Sequence, residues 1–168
     1  MFPEFAEPSG RDEWYTPPTI IEAARQLMGS IDLDPASCAE ANKVVRAERW
    51  FGIKDDALMQ PWHGNVWCNP PYGARMIRVF WRKLAASLNA GEVNRACFLT
   101  PMVDGAHCLV LLREAPAVVV LDWRIEGWWG PSTDGKTCPL GWGLMMISCF
   151  GVSIDDTRRA FSGLGAVR

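Results

Sequence analysis

No two of the six cysteines (38, 68, 97, 108, 138 and 149) form a Cys-x-x-Cys pair, and there are only two histidines, His63 and His107. That spacing excludes the common zinc ligand sets. Cys68, Cys97, Cys108 and Cys149 lie in apolar runs, so reduced, buried thiols are expected, with no disulfide framework and no metal. No apolar run approaches the length of a bilayer span, and Met1-Phe2-Pro3-Glu4 has neither the basic region nor the apolar stretch of a secretory signal. A cytoplasmic protein is expected. An excess of positive charge is also missing. The net charge of −2 argues against a globally basic nucleic-acid binder and leaves only local stripes to face phosphates. There is no internal repeat and no glycine-rich phosphate loop.

What is present reads as globular: 168 residues, 49% hydrophobic and 21% charged, enough for one domain over residues 1–168 with a core that needs no staples. Residues 1–13, with Pro3, Pro8 and Gly10, read as a loose arm. Thr16 reads as the cap of a helix with Pro17 and Pro18 in its first turn, the apolar set Ile20, Ile21, Ala24, Leu27, Met28, and a stop at Gly29. Strands are expected at 30–33, 49–51, 65–68, 95–100, 118–121 and 144–150, and helices at 39–47, 74–89, from Asp104 to 114, and after Ser153. This alternation predicts an α/β fold with a mostly parallel, doubly wound sheet. The Trp-, Gly- and Pro-rich stretch 123–141 reads as a loop.

The most informative string is Asn69-Pro70-Pro71-Tyr72, directly after the apolar run Val66-Trp67-Cys68. Ligand sites of open α/β sheets lie at the carboxyl ends of strands, which is where this string falls. Neither proline has an N–H, and Pro71 biases Pro70 towards extended backbone, so the Pro70 carbonyl can project without a helical partner. With the Asn69 side-chain oxygen it forms a pair of acceptors suited to the two hydrogens of a conjugated amine such as the N6 of adenine. Gripping both hydrogens pulls that nitrogen towards tetrahedral geometry and frees its lone pair for a methyl donor. Tyr72 offers a face on which a base lifted from a duplex can stack. Pro-Pro-Tyr-Gly also reads as a rigid strand-to-helix turn.

A donor such as S-adenosylmethionine has no phosphates to cradle, which suits the missing glycine loop. Asp32 and Asp34 leave a strand just before a helix, where carboxylates can receive an ammonium or ribose hydroxyls; Asp34-Pro35-Ala36-Ser37 reads equally well as a helix cap. Asp55 and Asp56 read by default as a solvated turn. Past the tetrapeptide, Arg75, Arg78 and Arg82 recur at helical spacing beside Lys83, opposite the apolar stripe Met76, Ile77, Phe80, Leu84, Leu88. They suit either a solvated face or one that contacts phosphates.

In order along the chain, Asp12-Glu13-Trp14-Tyr15-Thr16-Pro17, Asp32-Leu33-Asp34-Pro35-Ala36-Ser37, Asp55-Asp56-Ala57-Leu58, Trp62 and Val66-Trp67-Cys68-Asn69-Pro70-Pro71-Tyr72 resemble phage-type, Dam-like DNA N6-adenine methyltransferases. The motifs cover residues 11–75, and the rest agrees in length and strand pattern. The resemblance implies a Rossmann-like fold, S-adenosylmethionine as donor, double-stranded DNA as partner with its target base flipped out, and a phage or prophage origin in a bacterial cytoplasm. It implies that Asn69, Pro70, Pro71 and Tyr72 carry the chemistry. Tyr15, Thr16 and Pro17 would line the donor pocket, with Asp34, and Asp32 as second choice, holding the donor and Asp56 beside its adenine. The segment between Asp34 and Asn69 is short for the family's larger relatives, and no acidic residue there is an evident grip for the ribose.

The Asn-initial tetrapeptide also occurs in methyltransferases of ribosomal RNA and of protein glutamine, so those acceptors stay open, as does a catalytically silent DNA- or cofactor-binding module. Residues 123–141, with Arg124, Trp128, Trp129 and Lys136, are the candidate target-recognition loop; a connection packed on its own aromatics is the other reading.

Overall fold

The computed structural model describes residues 14–102, 106–122, 125–129, 136 and 144–168, apart from the side chains of 74 and 106–108. The predicted arm 1–13, the cap Asp104, Arg124 and most of 123–141 lie outside the described residues. In chain order the elements are α1 (Pro18–Met28), β1 (Leu33–Asp34), α2 (Ala39–Val45), β2 (Arg49–Trp50), a 3-10 turn (Ile53–Asp55), β3 (Gly64–Cys68), α3 (Ala74–Asn89), β4 (Val93–Pro101), α4 (Ala106–Glu114), β5 (Ala117–Leu121), β6 (Met145–Phe150), α5 (Ile154–Ala160) and β7 (Gly165–Val167).

The seven strands form one sheet in the order β2-β1-β3-β4-β6-β5-β7. Pairings β1–β2, β1–β3 and β3–β4 are parallel, whereas β4–β6, β5–β6 and β5–β7 are antiparallel. The expected mostly parallel sheet therefore holds for its first half and needs correcting for the second. Two of the antiparallel pairings come from β6, which inserts between the mutually parallel β4 and β5, its Cys149 opposite Cys97 on one side and Ala117 on the other, and the third comes from β7 at the edge.

Side chains alternate across the sheet and build two cores. Trp67, Cys97, Leu99, Val119 and Ile147 pack with α1 on one face. Val66, Cys68, Ala96, Phe98, Val118 and Met146 pack with α3 on the other. Helices thus cover both faces, as a doubly wound sheet requires. The chain leaves β1 towards β2 through α2 and returns on the other side of β1 to β3, which places a topological switch between the carboxyl ends of β1 and β3.

Three local corrections bear on the site. First, α1 is capped by Pro17 with no side-chain hydrogen bond, not by Thr16. Pro17 and Pro18 offer no N–H for a hydroxyl at position 16 to accept from, so Thr16 is left to another partner. Second, α2 stops at Val45, short of the predicted 47, because Arg46 turns left-handed (φ 50°) and the Asn42 side-chain oxygen takes the Ala47 N–H at 2.9 Å. Third, β7 was not expected from the sequence. It is three residues of Gly-Ala-Val, too short for any periodicity, and Gly165 runs so close to β5 that a Cβ there would sit 2.2 Å from the Val120 carbonyl oxygen.

Trp62 is fully buried, and its indole N–H donates to the Ala57 carbonyl at 2.8 Å, tying the segment after the 3-10 turn to the α3 core. Trp62→Ala is expected to cost about 3–5 kcal/mol of stability, read in a denaturant titration. Trp62→Phe should lose less, since it keeps most of the buried volume but leaves the Ala57 carbonyl without its donor. Equal losses in the two variants would show that the hydrogen bond, not the volume, is what matters.

Candidate active site

A cleft of about 380 Å³, within the range of small-molecule sites, opens at the switch point. Asp34 and the turn after it form one wall and the tetrapeptide another. A third wall comes from Trp14, Tyr15 and Thr16 ahead of α1, and a fourth from residues 51–53 and 56–58. Adjacency of β1 and β3 explains the meeting of Asp34 and Asn69, because Asp34 ends one strand and Asn69 follows the end of its neighbour.

The Asn69 amide has a defined orientation. Its nitrogen donates to the Trp14 carbonyl at 2.9 Å and, more weakly, to the Thr16 hydroxyl at 3.4 Å. A backbone carbonyl only accepts, so the amino side of the amide must face Trp14. The opposite atom, Oδ1, is buried and has no hydrogen-bond partner among the described residues. The Pro70 carbonyl likewise accepts no hydrogen bond among them. Asn69 and Pro70, consecutive residues whose acceptors lack donors among the described residues, both line the cleft. Pro70 is buried and Pro71 exposed, and both line the cleft together with Tyr72. Burial pushes the Tyr72 phenol well above its ordinary value, with the neighbouring Asn69 amide opposing the shift, so Tyr72 stays protonated and is no general base.

Asp34 is 2% exposed, and burial raises its carboxyl from 3.8 to about 7; the Ala36 N–H, which donates to it at 3.2 Å, and the neighbouring Ser37 oppose the rise. Cys68 is pushed up by its own burial and then by the Asp34 charge, so it remains a thiol. Asp56 stands exposed at the cleft's edge in a left-handed conformation (φ 45°), ending the 3-10 turn that Asp55 closes by accepting the Gly52 N–H at 2.7 Å. Of the sequence-predicted residues, Tyr15, Thr16, Asp34, Asp56, Asn69, Pro70, Pro71 and Tyr72 come together here.

Two do not. Asp32 is turned to β3, where its carboxylate accepts the Asn65 N–H at 2.8 Å over Gly64, whose φ of 78° and lack of Cβ make room for it. That engagement ties Asp32 to β3, and Asp32 does not line the cleft. Pro17 is buried as the cap of α1, against Gly127, and is absent from the cleft wall.

Sequence reasoning missed Trp14 as the anchor of Asn69, since a backbone carbonyl leaves no mark on sequence. It also missed Phe51 and Ile53, although the strand-end rule that selected Asn69 points to them after β2. In the candidate recognition loop, Trp128 is buried in the core and Lys136 is exposed. Trp129 exchanges backbone hydrogen bonds with Tyr15 and sets its ring edge-on at 4.4 Å. Among the described residues no cluster of three His, Cys, Asp or Glu could hold a metal, and no helix is long and apolar enough to cross a membrane.

Sheet and cleft together define an α/β protein with a cleft at its strand switch point, lined in part by Asn69 and Pro70. The chain belongs to the DNA N-6-adenine-methyltransferase (Dam) family, whose model matches residues 6–100, more than half of its length. No curated protein and no solved structure matches it.

Proposed function

We propose that the chain is a site-specific DNA methyltransferase of Rossmann-like fold that transfers a methyl group from S-adenosylmethionine to the N6 of an adenine flipped out of duplex DNA. The carrying observation is the Asn69 side-chain oxygen, buried in the cleft wall and without a donor. A buried acceptor left unmatched costs about 1–3 kcal/mol, which an incoming amine recovers.

The residues present fit the donor. A buried carboxyl held near neutrality suits a ligand ammonium, and the walls are apolar enough for an adenine. S-adenosylmethionine, when bound, supplies an electrophilic methyl carbon on a sulfonium. Asp34 would hold its charged end, Tyr15 and Thr16 would line its pocket, and Asp56 would lie on the side of its adenine. Asn69 Oδ1 and the Pro70 carbonyl each accept one N6 hydrogen, which localises the lone pair on nitrogen and stabilises the charge that builds there. Pro71 keeps Pro70 extended, and Tyr72 stacks on the flipped base. Since Tyr72 and Cys68 stay protonated, the surplus N6 proton leaves to water.

Labelled donor, incubated with the protein and in parallel with plasmid DNA, RNA or protein extract, each then digested to nucleosides or amino acids, is expected to yield N6-methyldeoxyadenosine from the DNA. Label appearing only in RNA, or as methylglutamine in protein, rejects the assignment.

A further inference from the structure

The described ion pairs follow a pattern. Arg25 and Arg46 pair with Glu22, Lys43 with Glu40, Arg158 with Asp155 and Arg159 with Asp156, so the helices α1, α2 and α5 carry their own counter-charges. The helix that starts at the cleft breaks it. α3 holds Arg75, Arg78, Arg82 and Lys83 without one carboxylate, and the sequence contains no Asp or Glu from residue 57 to residue 91. Arg75, Arg78 and Arg82 are exposed, and none makes an ion pair among the described residues.

At about 100° per residue these three side chains fall within an arc of about 60°, on the side of α3 away from the core. Ile77, Phe80, Trp81 and Leu84 occupy the buried side. Arg75 and Arg82 are about 10 Å apart along the axis, a length that spans roughly three phosphates of one DNA strand. Like charges one turn apart repel, and a row of phosphates relieves that. Location singles out the partner. Gly73 caps α3 and Met76 lines the cleft, so a duplex delivering a base to Asn69 passes the start of the row.

We infer that the Arg75–Arg78–Arg82 face of α3 binds the phosphate backbone of the duplex beside the target base. This rests on the DNA reading above. The test is fluorescence anisotropy with a labelled duplex between 50 and 200 mM salt. Replacing all three arginines with alanine is expected to weaken binding on the order of 10- to 100-fold and to reduce the log–log salt slope by about 3. The triple lysine variant should keep the slope, and Arg158→Ala with Arg159→Ala, which removes paired cations, should not change it. In turnover, KM for DNA should rise while kcat at saturating DNA stays.

An unchanged slope in the triple alanine variant overturns the inference, even if methylation is normal and the functional reading stands. Wild-type protein that binds duplex with the expected slope but methylates nothing leaves the surface assigned and removes the function. A wild type that does not bind duplex at 50 mM salt overturns the surface directly.

Discussion

Asn69→Ala is expected to lower the rate of methyl transfer on the order of 10²- to 10³-fold while leaving donor affinity within a few-fold of wild type. The magnitude is that of losing one preorganised group which meets the charge developing in a transition state. The separation of effects follows from geometry. The amide nitrogen is already engaged by Trp14 and Thr16, so only the oxygen is available to a ligand. In the proposed mechanism that oxygen meets the target amine and not the donor. Asn69→Asp tests orientation separately. It keeps an acceptor towards the cleft but sets a second carboxylate oxygen against the Trp14 carbonyl, where a donor is needed. Its rate should fall between wild type and the alanine variant. Single-turnover transfer to duplex DNA, with donor binding measured by calorimetry, separates the two quantities. An alanine variant within threefold of the wild-type rate removes Asn69 from the chemistry.

The parts of this site that could be read from sequence are those written in side-chain types near strand ends. The proline-braced corner follows an apolar run, and Asp34 follows a shorter one. Their meeting requires only that β1 and β3 be neighbours, the normal outcome at a strand switch. What could not be read has specific causes. Asp32 and Asp34 look alike in sequence and, two residues apart, would share a pleat face; position separates them, Asp32 preceding β1 beside Asn65 and Asp34 ending it at the cleft. Trp14 acts through its carbonyl, which every residue type has. The antiparallel half of the sheet depends on where β6 inserts, a choice of tertiary pairing that a run of apolar residues does not encode. β7 exists because β5 offers it an edge.

The second large effect is expected at Asp34. In the folded protein its carboxyl titrates near 7, against 3.8 for an unburied one, because burial penalises the charge. Between those two values the folded chain keeps a proton that the unfolded chain has lost. Its contribution to stability is therefore complete below about pH 4, declines as pH rises, and is gone above about 7, a total on the order of 4 kcal/mol. Asp34→Asn removes that dependence while retaining an oxygen for the Ala36 N–H, 3.2 Å away. Without ligand the variant should melt at a higher temperature than wild type at pH 8, with the difference shrinking towards pH 4. Donor binding should move the other way. A ligand ammonium needs the ionised carboxylate, so wild-type affinity should rise about tenfold per unit below pH 7 and level off above it, with about one proton released on binding below pH 7 and none above it. The asparagine variant should bind about 100-fold more weakly at pH 8, with no such pH dependence, because a buried ammonium loses its charged partner. A site built for stability alone gives no reason to keep a buried acid that destabilises the empty fold at neutral pH. A variant that gains stability yet binds the donor as tightly as wild type at pH 8 would mean that Asp34 serves some other ligand.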